Sequence, residues 1–453
     1  MAFKTKSSNG SSAKLWRLGN LIRTQVADAK AQNKLVQTSE TYVRPKFATF
    51  EYKNEGAVNT RHSMEYFDKS QWRWKHQHEF VQTLICSSPQ FQECAKSLKK
   101  DFAKQAPQIE QSLQQFAMVV AAAAVEDVSN ETLVEFVSRY LADLNGSPAQ
   151  IKVSIWLIGL WLKQEEISLP GMQLRRPKPA DLEIEEPLSL ALLNLRPRST
   201  SAPPAIAEFE IRARSGVDAQ EHVERVTGAL RLFRLGSVQE VQYSLSSDSL
   251  LLPAGTHGPI QTPVGCYKFE VDGSDTEKLA SFIQKLTPLL PLRFPHEAGA
   301  RQPADIAFFR YTEAVLRGGD LEGRITSGIT SLEALFLKGK ERAELAQRLS
   351  LRIASLLRLL EQNPFEVQEK VHQAYDIRST HIHGGQVEPE KLRNADDLCR
   401  NILEYARLSL VIFLQLKGVI EKDDFIGKLD RALLEFKSLD RIKQQLDSLL
   451  VPK

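Results

Sequence analysis

The chain has few cysteines, and none of them is spaced to bind a metal. It contains four, at Cys86, Cys94, Cys266 and Cys399. No pair forms a Cys-x-x-Cys or finger-like spacing, so the sequence indicates no structural zinc site. A low cysteine content is typical of reducing compartments, where disulfides rarely persist. We therefore expect a cytoplasmic protein that uses no metal or other cofactor.

The sequence also lacks a long apolar run. The two best candidates, Val153–Leu162 and Leu408–Leu414, are far shorter than the ~20 residues that a membrane-spanning helix needs. We expect both to form buried helices instead. No apolar segment follows Lys4, Lys6 and the serine-rich run Ser7–Ser12, which argues against a secretory signal. Contact with a membrane is therefore not expected.

Neither sign of charge is in large excess. The 453 residues include 59 Lys and Arg against 56 Asp and Glu, and 42% are hydrophobic. This composition excludes collagen-like, mostly disordered and coiled-coil proteins, and the length predicts about three domains. The charge is uneven, because residues 1–50 hold nine Lys and Arg against two Asp and Glu. This basic tail is interpreted as a solvated segment or as a phosphate-attracting arm.

Proline divides the chain into regions of different character. The stretch 170–204 is rich in proline, which removes backbone donors and interrupts helices, so we interpret it as a linker. It separates a mainly helical region with the basic tail, at 1–169, from a small α/β domain at 205–300. A helical bundle follows at 301–453. The predicted fold class is therefore a mainly α, multidomain protein.

The region 205–300 shows both structural periodicities. Phe209, Ile211 and Ala213 alternate with charged residues, as in a half-buried strand, and the apolar residues of 223–233 recur at helical spacing. The region has no Walker lysine loop and no Gly-x-Gly-x-x-Gly, so nothing indicates a nucleotide enzyme. We expect this domain to act as a sensor or to set specificity.

Helical spacing dominates from Ala304 onward. Apolar stripes at 325–335, 345–360 and 398–412 predict successive helices of a bundle with five or six members. Asn363 and Pro364 suit the N-cap and the first position of another helix.

Polar groups are concentrated at a predicted helix end, in the sequence YDIRSTHIHGG. Gly384 suits a left-handed C-terminal cap, and histidine and arginine favour the negative end of the helix dipole. This interpretation explains the composition, but not why groups suited to phosphate chemistry crowd there. At about 100° per residue, Asp376, Ser379 and His383 share a face, whereas Arg378 and His383 lie about 140° apart. Those last two side chains converge only if the arginine reaches round or the helix ends before His383, which the glycine pair favours.

Arg378 and His383, separated by four residues, match the Arg-x4–6-His motif of HEPN domains. Ser379, directly after the arginine, fits the preference of that family for a polar residue. With Tyr375, the pattern Tyr-x2-Arg-Ser-x3-His-Gly resembles the Apea-like branch in particular. The helices predicted at 331–336 and 344–352 are also similar to core helices of that branch. The resemblance covers about a third of the chain.

The resemblance implies a metal-independent endoribonuclease in a helical bundle. In this chemistry the RNA 2′-hydroxyl attacks the adjacent phosphorus, which leaves a 2′,3′-cyclic phosphate and a 5′-hydroxyl. The implied catalytic residues are Arg378 and His383. Supporting roles are implied for Tyr375, Asp376, Ser379 and His381. Because His381 is a second histidine within the motif, the choice between the two imidazoles stays open.

HEPN nucleases typically pair two domains so that their motifs face each other. One chain holds one motif, which implies a homodimer or a higher homo-oligomer. An RNA substrate and a trigger or regulatory protein are the other implied partners, in a setting such as defence against phage. A different class of function is also open: a catalytically inactive HEPN module that serves as an RNA-binding or protein-interaction scaffold. A histidine turned into the apolar core would favour that alternative.

Three charged residues, Glu344, Arg348 and Arg352, follow one another at intervals of four and share a helix face. We interpret them as an ion-pair ladder. A role in orienting Arg378 or in holding RNA is the alternative.

Overall fold

The computed structural model of the protein describes most of the chain. The described residues are 9–52, 58–74, 85–103, 108–126, 128–178, 181, 186–187, 205–214, 216–247, 249–250, 255–257, 267–293, 301–317, 320–388, 390 and 393–451. Most of the predicted linker, at 188–204, and Cys266 lie outside them. No helix in the described ranges is long and apolar enough to cross a bilayer.

Thirteen α-helices lie in the described part of the chain. They are α1 Asn9–Ala31, α2 Pro89–Asp101, α3 Ile109–Ala124, α4 Asn130–Leu144, α5 Gly216–Phe233, α6 Thr276–Leu286, α7 Pro303–Leu316, α8 Leu321–Phe336, α9 Leu345–Arg358, α10 Pro364–Ile382, α11 Ala395–Leu416, α12 Lys422–Ala432 and α13 Phe436–Leu446. The eleven strands there are β1 Leu35–Tyr52, β2 Val58–Trp74, β3 Ala149–Ile158, β4 Leu160–Leu162, β5 Glu166–Leu169, β6 Met172–Arg175, β7 Glu186–Pro187, β8 Ala205–Ala213, β9 Gln239–Ser247, β10 Gly255–His257 and β11 Phe269–Val271. The protein is thus mainly α with some α/β content, as the sequence predicts.

Helices α1 to α4 enclose a hydrophobic core of their own. Its fully buried members include Leu18, Ile22, Phe116 and Tyr140. Local signals start two of the helices, since the hydroxyls of Ser88 and Ser129 accept hydrogen bonds from backbone N–H groups in the first turns of α2 and α4. From Asn9 onward, the basic segment at the start of the chain forms α1 and β1.

A long antiparallel hairpin joins α1 to α2. Its strands β1 and β2 pair from Leu35 with Trp74 to Tyr52 with Val58, with a register shift between Pro45 and Phe47. The two-residue strand β7 adds to β1 from within the predicted linker.

The central sheet has six strands in the order β10-β9-β3-β8-β6-β5, and β4 pairs with β11 in a separate parallel ladder. This arrangement differs from the predicted division of the chain, because 149–175 belongs to the α/β unit and not to the helical region or the linker. The buried helix predicted at Val153–Leu162 is wrong, since these residues form β3 and β4. The physical reason is the alternation along β3, in which Ile151, Val153 and Ile155 are buried.

Helices α7 to α13 form the C-terminal bundle, which shares one hydrophobic core with the central sheet. The run Leu408–Leu414 is a buried part of α11, as predicted. Buried polar contacts also join the two parts. The Arg407 guanidinium donates to the Leu232 and Phe233 carbonyls at 2.8 and 2.9 Å, at the C-terminal end of α5. The bundle that carries the motif therefore packs directly against the central sheet.

Candidate active site

Helix α10 carries the motif, and local interactions set both of its ends. At its start, the Asn363 side chain accepts a hydrogen bond from the Phe365 N–H at 3.1 Å. At its other end, Gly384 has a φ of +71°. The Gly384 and Gly385 N–H groups donate to the carbonyls of His381 and Thr380 at 3.1 and 2.9 Å, which is a Schellman cap. The helix thus ends before His383, as the glycine pair predicts.

Arg378 projects from the last turns of α10 towards α8. Its guanidinium donates to the Glu333 carboxylate at 3.0 Å and lies 5.5 Å from the centre of the Tyr375 ring. The arginine side chain is 24% exposed, so an anion in solvent can reach part of it. Its Nε is buried and lacks a hydrogen-bond partner among the described residues. Arg378 is therefore anchored through one terminal nitrogen and stays partly accessible.

Glu333 links the three side chains of this cluster. Burial raises the pKa of the Glu333 carboxyl, and the positive charge of Arg378 and a hydrogen bond with the Tyr375 hydroxyl oppose that rise. Burial likewise raises the pKa of Tyr375, and the neighbouring Glu333 charge adds to the rise. Tyr375 therefore stays protonated at neutral pH and serves as a hydrogen-bond donor to the carboxylate.

Both motif histidines are exposed at the end of α10. His381 belongs to the last helical turn, and His383 is the C-cap residue. The His383 N–H donates to the Ser379 carbonyl at 3.3 Å, and Ser379 itself is half-buried. Asp376 is exposed, and its carbonyl accepts from the Thr380 hydroxyl. The contacts described for Arg378 run to Glu333 and Tyr375, and none is described between the arginine and either imidazole.

The predicted ion-pair ladder on α9 is only partly present. Arg348 pairs with Glu344 at 3.3 Å and also approaches Glu341 at 3.5 Å. Arg352 belongs to a different, buried network. It donates to both carboxylate oxygens of Glu341, both of Asp430 and the Phe336 carbonyl, at 2.7–3.0 Å.

The Arg352 guanidinium is fully engaged in this network. Its side chain is 3% exposed, and these contacts occupy all five of its N–H donors. Arg352 therefore has no free donor for a phosphate, and no contact with Arg378 is described for it. It ties the C-terminal end of α8 to α9 and α12, and α8 in turn carries Glu333.

The sequence alone assigns no role to two residues that position the motif and its neighbouring helices. Glu333 anchors Arg378, and Lys422 donates to the Ala334 and Leu337 carbonyls at 2.8 and 2.5 Å, at the end of α8. The available signal for Glu333 is an acidic residue inside the apolar run SLEALF. No local signal marks Lys422, because it acts at a helix end more than eighty residues earlier in the chain.

Potential metal ligands are not clustered in the described ranges, where no three His, Cys, Asp or Glu side chains are placed to hold one ion. The Glu333 carboxylate is engaged by a guanidinium and a phenol. The groups at the end of α10 are imidazole, guanidinium and hydroxyl groups and the exposed Asp376 carboxylate.

Comparison of the chain with protein-family models, curated proteins and solved structures finds no match. A function must therefore be inferred from the side chains themselves.

Proposed function

We propose that this protein is a metal-independent endoribonuclease of the HEPN type, with Arg378 and His383 as its catalytic residues. The observation that carries the proposal is the end of α10. There, a partly exposed arginine is anchored by Glu333 and Tyr375, and an exposed histidine caps the same helix five residues later. The arrangement holds a cation in place without burying it.

These groups suit cleavage by the neighbouring 2′-hydroxyl. A histidine takes the proton from the attacking 2′-oxygen, and a second proton must reach the departing 5′-oxygen; imidazole suits both steps because its unperturbed pKa lies near neutrality. Arg378 stabilises the charge that builds up on the phosphate oxygens of the transition state. Anchoring by Glu333 lowers the cost of orienting the guanidinium.

A catalytically inactive scaffold is the second candidate, and one observation favours it. An arginine paired with a half-buried glutamate is also an ordinary structural contact between two helices. The exposure of His383 is what the enzyme requires, because a catalytic imidazole must reach the RNA. Incubating the purified protein with total RNA distinguishes the two candidate functions, since only the enzyme cleaves the RNA.

We further propose a cytoplasmic homodimer in which two copies of the motif face each other. One histidine cannot easily act as base and acid in the same step, whereas two can. Ile382, between the two histidines, is 50% exposed and supplies an apolar contact for such an interface. The regions before the bundle then sense a trigger or select RNA, in a setting such as defence against phage.

Cleavage is expected to proceed in EDTA and to leave 2′,3′-cyclic phosphate and 5′-hydroxyl ends. The reason is that the proposed mechanism relies on imidazole and guanidinium groups and not on two metal-bound carboxylates. End-labelling by polynucleotide kinase without prior phosphatase treatment measures the 5′-hydroxyl. Cleavage that stops in EDTA and returns with magnesium would refute this mechanism.

Mixed dimers of wild type and His383→Ala are expected to lose most of their activity, because each composite site contains a damaged half. Two purification tags on the two chains allow the mixed species to be isolated and assayed. Mixed dimers that keep half or more of the wild-type activity would contradict a shared site, as would an active monomer in light scattering.

A matched pair of surface variants locates the interface. Ile382→Asp is expected to weaken the dimer, which should bury about 1,600 Å² in total if it is stable. Val134→Asp on α4 is the control, since Val134 is also 50% exposed but lies in the N-terminal helical unit. Equal dimerisation of the two variants would place the interface elsewhere.

A further inference from the structure

The loop between α8 and α9 contains a compact basic turn, Lys338–Arg342, with the sequence KGKER. Its Glu341 N–H donates back to the Lys338 carbonyl at 3.1 Å. The side chains of Lys340 and Arg342 are exposed, and no contact with a carboxylate is described for either of them. The turn therefore presents two cations to solvent.

The acidic residue of the basic turn faces the opposite way. The Glu341 carboxylate accepts from the buried Arg352 guanidinium and from the Lys338 N–H at 2.8 Å, and it is only 12% exposed. Hydrogen bonds from Arg352 lower the pKa of Glu341 to about 2. Arg342 also donates to the Gly339 and Glu341 carbonyls at 2.9 and 3.0 Å, which fixes the turn further. The anchoring separates the charges, with the carboxylate inside and the cations outside.

Contacts on either side of the basic turn place it next to the motif. Before the turn, Glu333 of α8 binds Arg378, and after it Gln347 of α9 binds His372 at 2.9 Å. Arg378 and His372 are six residues apart on α10, or about 9 Å along the helix axis. The turn begins five residues after Glu333, so it lies near the Arg378 contact, while its own side-chain contacts run from Glu341 to Arg352 of α9 and from Lys338 to Asp430 of α12 at 4.0 Å.

We propose that the basic turn is a phosphate-binding subsite that holds the backbone of single-stranded RNA as it enters the site at Arg378. The inference rests on the proposed function and extends it to substrate binding. Lysine and arginine side chains that neutralise phosphates supply most of the sequence-independent affinity of proteins for nucleic acid. A preformed turn with its cations already outward loses little entropy when it binds such a chain.

The test compares two double variants with the same loss of charge. Lys340→Ala/Arg342→Ala removes the two outward cations, and Lys278→Ala/Arg212→Ala removes an exposed lysine and arginine from α6 and β8. The probe is a fluorescently labelled single-stranded RNA with 2′-O-methyl groups throughout, which cannot be cleaved by 2′-hydroxyl attack. Binding is measured by fluorescence anisotropy across a range of salt concentrations.

The turn variant is expected to bind the probe about tenfold more weakly than wild type, with a salt slope smaller by about 1.4 for two lost phosphate contacts. The control variant should stay close to wild type. On a cleavable RNA, the turn variant should raise KM and leave kcat nearly unchanged. Equal binding by the two variants would overturn the inference, as would turn-dependent binding to anionic lipid vesicles without binding to RNA. Turn-dependent binding by a protein that cleaves no RNA would support the subsite while refuting the proposed nuclease.

Discussion

Replacement of His383 or Arg378 by alanine is expected to lower RNA cleavage by about 10²–10⁴-fold, the usual effect of removing a general acid or base or a group that stabilises the transition state. His383 is an exposed C-cap residue, and its backbone contacts at the helix end do not depend on the side chain. Loss of the imidazole should therefore leave the fold unchanged. His381→Ala should lower the rate of RNA cleavage less than His383→Ala does. An active His383→Ala together with an inactive His381→Ala would reverse the assignment of the two histidines.

Arg378→Ala needs a more careful control, because it leaves the half-buried Glu333 carboxylate without its cation. The double variant Glu333→Gln/Arg378→Ala removes that charge as well. If Arg378 is catalytic, both variants are inactive and both retain helical circular dichroism. If the single variant is inactive only because it unfolds, the double variant should recover folding and activity together. That recovery would show that Arg378 is a structural residue and not a catalytic one.

The end of α10 is predictable from sequence because its signals are local. Asn363 and Pro364 begin the helix, and Gly384 and Gly385 end it, each through contacts within a few residues. The second half of strand β8 is predictable for a similar reason, since Phe209, Ile211 and Ala213 are buried and the residues between them are exposed.

The strand β3 is harder to predict, because the apolar run Val153–Leu162 fits a buried helix as well as a buried strand. The discriminating signal is at its start, where Gln150, Lys152 and Ser154 alternate with buried residues. With that alternation, residues 149–175 can be assigned to the sheet instead of to the helical region.

The environment of the motif is the least predictable part, because it depends on contacts between distant segments. Glu333 is 45 residues from Arg378, and Asp430 is 78 residues from Arg352. Spacing on α9 places Glu344, Arg348 and Arg352 on one face, but only the tertiary packing decides that the last of them is buried. Periodicity identifies a shared face and does not identify the partner across it.

Replacement of Arg352 by methionine is expected to destabilise the protein by about 3–5 kcal/mol, the usual cost of removing one partner from a buried ion pair. Methionine keeps much of the aliphatic volume, so the loss comes from Glu341, Asp430 and the Phe336 carbonyl. Arg348→Met is the matched control on the same helix. Because Arg348 is 44% exposed, its removal should cost less than about 1 kcal/mol. Urea unfolding followed by circular dichroism measures both.

The pH dependence of this difference identifies its cause. In the folded protein the pKa of Glu341 is lowered from 4.5 to about 2, chiefly by the hydrogen bonds from Arg352 and in smaller part by the Lys338 N–H and the Arg348 charge. A lowered carboxyl pKa stabilises the fold above the unfolded pKa, and that stabilisation is lost as the pH falls towards the folded value. The difference in the free energy of unfolding between wild type and Arg352→Met should therefore be largest above pH 4.5 and should decrease as the pH falls from 4.5 to 2. A difference in unfolding free energy that stays constant over this range would assign the loss of stability to packing. A difference as small as that caused by Arg348→Met would show that the network contributes little to stability.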